Sequence, residues 1–252
     1  MDENQIFYSP AEDPKMAAAM QQAQATFKYF WRELSWEARR IVPALDLACV
    51  KVAFEEPLPG SELPLVEYMW LNDVAFDGDT VSGVLINDPD ELTTVENGDF
   101  VQVPLSKVSD WLFYCEGQSY GGFTIQAMRA AMSEEERREH DEAWGLNFGD
   151  FNNILVVYGQ KEHPENLVEH PMSLNMREKV QEFVRDYPAE ITTADEAGYT
   201  FLHRETIAGN RTSVEVALQA GADRDVKTAS GKTALDFARQ LNWEHLLPVL
   251  QG

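Results

Sequence analysis

Residues 109–129 read SDWLFYCEGQSYGGFTIQAMR. A Trp-bearing apolar run meets Glu116-Gly117, then Gly121-Gly122, then a series of helical character. Two phosphate-binding readings of the glycines fail on composition. A Walker-type loop needs G-x-x-x-x-G-K-[ST], whereas this stretch has no Lys and its glycine pair is followed by Phe123; the dinucleotide fingerprint G-x-G-x-x-G is also absent. Gly117, Gly121 and Gly122 instead fit a compact loop that needs positive φ and reverses the chain from a strand into a helix. This strand-turn-helix reading points to an α+β fold.

Upstream, Asp13-Pro14 has the form of an N-cap followed by proline at the first helical position. Met16, Met20, Ala23, Phe27, Phe30, Trp31 and Leu34 then recur every three to four residues, predicting an amphipathic helix to about Trp36 with its aromatic stripe in the core. Strand character follows over 45–54, 65–76, 81–87, 100–104 and 108–115. Asp77-Gly78 and Asn97-Gly98 serve as turn signals between them. Short strands and tight turns imply a small antiparallel sheet with flanking helices. After the glycine pair a helix carries Ile125, Met128 and Met132. Ser133 and Glu136 form a capping box, so SEEERREHDEAW is a solvated helix with acids at its N-terminus. Residues 154–158 read as a final strand, and KEHPENLVEHP (161–171) as a linker.

The formal net charge is −23, and it is uneven: −20 over residues 1–170 and −3 over 171–252. Such a field disfavours nucleic acid and anionic membranes, which require clustered Lys and Arg, and suits either plain solubility or a basic protein partner. Cys49 and Cys115 show no CxxC spacing, which suits a reduced cytoplasm. The N-terminus MDENQIFYSPAEDPK lacks the apolar region of a signal peptide. No apolar run approaches the roughly 20 residues of a spanning helix. A cytoplasmic protein is expected, with a monomer the favoured state.

At the C-terminus, EAGYTFLHRETIAGN aligns with TASGKTALDFARQLNW at an offset of 33 residues, placing Gly198 on Gly231 and Thr200 on Thr233. With Gly221-Ala222-Asp223 between them, the period resembles ankyrin repeats. Thr200 and Thr233 are then helix caps, and His203 is a structural histidine that hydrogen-bonds backbone. The expected organisation is an α+β domain over 1–170, with core about 20–150 and linker about 159–171. An all-α ankyrin-repeat array, a half repeat plus two, follows over 172–252. Two repeats bury too little apolar face alone, so the array is expected to dock on the first domain.

EYMWLNDV (67–74), GVLINDP (83–89), GDFVQVP (98–104), VSDWLF (108–113) and EGQSYGGFTIQAMR (116–129) together resemble the YegJ-like bacterial family, the domain of unknown function 2314. The resemblance covers about residues 20–150. It implies no reaction, cofactor or catalytic residue; related domains have been proposed as immunity proteins in toxin systems.

None of the five histidines forms a ligand pair such as HExxH, and no nucleophile elbow G-x-S-x-G occurs. Asp88, Asp90, Glu91 and Asp99 could bind a hard cation but lack EF-hand spacing, and solvated turns explain them equally well. Catalytic, cofactor and metal residues are therefore expected to be none. The expectation is a non-enzymatic, immunity-like interaction module for a basic protein. Asp110, Trp111, Tyr120 and Phe123 are its candidate surface, although Trp111 also suits a core position, and Gly121, Gly122, Gly198, Gly231 and His203 are structural. The alternatives are an enzyme or small-ligand binder with a cleft near Gly117–Phe123, and a subunit of a larger assembly.

Overall fold

The computed structural model describes residues 13–252. Of the stretch on which the signal-peptide expectation rests, residues 1–15, the first twelve lie outside the described residues. Helix α1 (Pro14–Glu37) starts on Asp13, whose Oδ1 accepts from the Lys15 amide at 2.9 Å. Its buried stripe of Met16, Ala19, Ala23, Phe27 and Phe30 meets a six-stranded antiparallel sheet. The strands are β1 (Leu47–Glu56), β2 (Leu65–Phe76), β3 (Thr80–Leu85), β4 (Phe100–Pro104), β5 (Val108–Cys115) and β6 (Gln118–Gly121). They lie in the order β4-β3-β2-β1-β5-β6. Val50 pairs with Leu71 on one side and Trp111 on the other, so these three side chains share the face under α1. Phe27 meets Phe76 edge-on at 5.2 Å, and the Trp111 indole N–H donates to the Ala23 carbonyl at 2.9 Å. The opposite face carries Cys49, Trp70 and Leu112 and is partly covered by Ile125 of helix α2 (Phe123–Arg129) and by Phe148. Helix α3 (Glu134–Trp144) has the expected Ser133–Glu136 capping box.

Two local expectations are corrected. Residues 118–121, expected within a loop, form the edge strand β6. Residues 154–158 form no strand, although the Leu155 carbonyl accepts from the Gly121 amide at 2.8 Å. The apolar run there satisfies one edge group without adopting a ladder. Residues 161–171, read as the linker, are packed against α1. Asn166, Glu169 and His170 are buried, and the buried Arg32 guanidinium donates to the carbonyls of Asn166 and Val168. His170 Nδ1 accepts from the Met172 amide at 3.1 Å, which leaves Nε2–H to donate to Glu33 Oε2 at 3.1 Å.

The largest correction concerns residues 172–252. The chain continues through α4 (Pro171–Asn175), α5 (Arg177–Asp186), α6 (Pro188–Thr192), α7 (Phe201–Ile207), α8 (Arg211–Gln219), α9 (Ala234–Gln240) and α10 (Leu247–Gln251). These short, scattered helices do not make the expected all-α ankyrin array; the fold is α+β, one antiparallel sheet with helices. Their apolar side chains, including Leu202, Ile207, Phe237, Trp243 and Leu250, join the same hydrophobic core as Phe27, Val50 and Trp111. The 33-residue offset does mark matching turns, with Gly198 at φ +83° and Gly231 at φ +81°. Turn and cap residues recur wherever short helices are joined, and they carry no record of what the helices' apolar faces pack against.

Contacts with the first half are specific. The Trp36 indole donates to Asn210 Oδ1 at 2.9 Å, Arg39 pairs with the buried Glu205, and Lys232 pairs with Asp79. At the β2–β3 turn, a Cβ on Gly78 would lie 2.5 Å from the Phe237 ring, so only glycine lets the hairpin tip meet α9.

Candidate interaction surface

The residues expected on the surface are in the core. Asp110 and Trp111 are wholly buried, and Tyr120 and Phe123 nearly so. Trp111 stacks with Phe113 at 6.1 Å and meets Phe123 edge-on at 5.7 Å, while Tyr120 stacks on Phe113 at 4.5 Å. Asp110 organises the turn. Its Oδ1 accepts from the amides of Trp111 (2.8 Å) and Phe123 (2.9 Å), and its Oδ2 accepts from the amide (2.7 Å) and hydroxyl (2.6 Å) of Thr124. Burial pushes this carboxyl above its ordinary range, opposed by the Thr124 and Trp111 hydrogen bonds and by Lys51. The carboxylate thus satisfies orphan amides at the start of α2, where Gly122 in the left-handed region sits at the cap and offers no side-chain oxygen. The candidate surface is a buried cap. The apolar run of β5 was visible in the sequence, but burial on both sheet faces hides strand polarity.

At the Gly117–Phe123 turn, where the alternative reading put a cleft, Ser119 to Phe123 are buried. A cleft of about 590 Å³ lies beyond it, lined by Tyr114, Arg129, Arg137, Arg138, Asp141 and Asn147 among others. Its innermost cation is already neutralised, since Arg129 holds Asp141 through two bonds of 2.9 and 2.6 Å. Among the described residues, no three His, Cys, Asp or Glu side chains are arranged to hold a metal ion.

His203 sits where a structural histidine was expected. Nδ1 accepts from the Thr200 amide at 3.1 Å, and Nε2 lies 3.1 Å from the Val226 carbonyl, which fixes the proton on Nε2. Burial lowers the pKa of His203, and likewise that of His245, whose Nε2 faces the Gly209 carbonyl at 3.0 Å. A depressed histidine binds its proton more weakly in the fold than in the unfolded chain. Its contribution is therefore complete above the ordinary value of about 6.5 and is lost as pH falls below it. The urea midpoint is expected to drop between pH 7.5 and pH 5, and His203→Gln to flatten that slope while lowering stability at pH 7.5.

The exposed surface of the sheet is acidic and built. Residues 47–121 carry 14 Asp and Glu against two Lys, a net of −12, with Glu67 and Asp110 the buried members of that set. Neither lysine is free: Lys107 pairs with Glu55 at 2.6 Å, and Lys51 lies over the Trp70 ring at 5.5 Å. The β3–β4 connection, residues 86–99, is held rather than loose. The buried Glu67 carboxylate accepts from the amides of Asp90, Glu91 and Leu92 at 3.0, 2.7 and 2.9 Å. Glu56 takes those of Thr93 and Thr94 at 2.8 and 3.1 Å; the Thr93 bonds, first among these, hold its pKa below the usual carboxylate range. Asp88, Asp90, Glu91 and Glu96 are then exposed on a fixed loop. Beside them Phe100, at the start of β4, is 67% exposed and Ile86 is 39% exposed. The sequence left Asp88, Asp90, Glu91 and Asp99 open between a hard-cation site and solvated turns; the anchoring by Glu56 and Glu67 is long-range and leaves no local signal.

Among the described residues no helix is long and apolar enough to cross a membrane. The chain is 49% identical over 251 residues to a protein of Neisseria meningitidis serogroup B named "Putative ankyrin repeat protein", covering 100% of this chain and 98% of the relative. It is 34% identical over 73 residues to "Uncharacterized protein YegJ" of Escherichia coli K12, covering 29% of this chain and 48% of that protein. The profile of a family described as "Uncharacterized protein conserved in bacteria (DUF2314)" matches residues 13–148, from the start of α1 to the Phe148 that packs under the sheet. With more than half of its length in that match, the chain belongs to the DUF2314 family.

Proposed function

We propose that the protein is a non-enzymatic interaction module whose partner is a more basic protein, held by the acidic sheet half. The observation that carries this reading is the −12 charge of residues 47–121, with both lysines there engaged. Such a field raises the encounter rate with a cationic partner and repels nucleic acid. The name of the Neisseria relative, with its reference to ankyrin repeats, is consistent with a protein-binding role. The immunity-like form of this reading is occlusion of a basic toxin domain. The test is affinity capture on the tagged chain with washes of rising salt. Stoichiometric retention of one basic protein, released by salt, supports the reading; retention of an acidic partner indifferent to salt sinks it.

A further inference from the structure

The strand order leaves β4 at an edge. The Leu85 amide donates to the Asp99 carbonyl and the Leu105 amide to the Asp79 carbonyl, and the β3–β4 register is unbroken between them. Backbone groups alternate with period two along a strand, so Val101 and Val103 also bond inward to β3. Phe100 and Gln102 then turn their N–H and C=O groups outward. Their side chains, with that of Pro104, lie on the exposed side of the strand, whereas Val101 and Val103 face the core. The other edge is different: the amides of Ser119 and Gly121 in β6 donate to the carbonyls of Asn147 and Leu155. Open edges are ordinarily blunted by lysine, which β4 lacks; among the described residues its short length and Pro104 are what limit it.

We propose that the β4 edge receives an extended, basic segment of the partner protein as a seventh strand. This rests on the basic-partner reading above and adds to it the site and the mode of binding. Main-chain bonds to Phe100 and Gln102 supply affinity independent of sequence, and the exposed Phe100 ring offers an apolar anchor. The choice of occupant follows from charge. The fixed loop places Asp88, Glu91 and Glu96 on the chain leading into this edge, and no lysine or arginine occurs between Lys51 and Lys107 to compensate them. A cationic strand is attracted there, while a second copy of this acidic chain is repelled.

The test uses the full chain and a synthetic peptide of alternating lysine and valine, with the same peptide methylated at every backbone nitrogen as control. Methylation keeps the charge and removes the ladder donors. Expected are a dissociation constant on the order of 100 μM at low salt for the first peptide, binding about tenfold weaker for the second, and slowed hydrogen exchange at the Phe100 and Gln102 amides. Gln102→Pro, which removes an outward N–H only, is expected to weaken the unmethylated peptide to the level of the methylated one. Equal binding of the two peptides to the unaltered chain overturns strand addition while leaving the basic-partner reading intact. Failure of both to bind at low salt overturns both. Exchange protection at Phe100 and Gln102 that rises with chain concentration, without peptide, assigns the edge to a second copy and also overturns the proposal.

Discussion

Gly121→Ala is expected to lower stability by about 4 kcal/mol or more, enough to unfold a protein whose total stability is typically about 5–15 kcal/mol. Two costs combine. At φ +76° a side chain is strained by about 1–3 kcal/mol. The new Cβ would also lie 2.3 Å from the Trp111 carbonyl oxygen and 2.4 Å from its ring. Neither neighbour can yield cheaply. The carbonyl accepts from the Gly122 amide at 2.7 Å, and the wholly buried indole is tied to the Ala23 carbonyl. The internal control is Gly117→Ala. Gly117 has almost the same φ, +77°, with nothing within 4 Å of its Cβ position, so it should lose only the strain. Chemical denaturation of both variants separates close approach from backbone conformation; equal losses would refute the steric account.

Asp110→Ala is the second large effect, expected at about 3–5 kcal/mol. It strands three backbone amides and the Thr124 hydroxyl in a site without solvent, each unsatisfied group costing about 1–3 kcal/mol before relaxation. Asp110→Asn keeps one acceptor but turns an NH2 toward the Thr124 donors, and should fall between Ala and the native residue. The measurement is again the denaturation midpoint, with amide exchange at Phe123 and Thr124 as the local readout. An Ala variant as stable as the native chain would show that α2 needs no cap.

What local chemistry dictates was legible. Asp13-Pro14 and Ser133–Glu136 announced α1 and α3, and Asp77-Gly78 announced the β2–β3 turn. The positive φ of the glycine pair could be argued from a few residues, although Gly121 closes β6 and only Gly122 lies between strand and helix. What depends on partners distant in sequence was not legible. Asp110 looked like a surface acid because nothing near it shows that β5 is covered on both faces. The C-terminal turns were read correctly, yet the packing of their helices was not, since Trp36 and Asn210 are 174 positions apart. The edge position of β4 required the strand order itself.

One packing arrangement bears on how the chain is made. Among the described elements helix α1 is synthesised before the sheet and the C-terminal helices, and it is also the piece on which both halves close. One flank meets the sheet through Phe27 and Phe30; another meets Trp243 through Tyr29, 5.6 Å away, and Asn210 through Trp36. At roughly 5–20 residues per second, the ribosome needs roughly 6–26 s to pass from β6 to Leu250. During that interval the second flank has no cover. A nascent chain in this state exposes apolar surface that the finished protein covers, and its yield is expected to respond to translation speed.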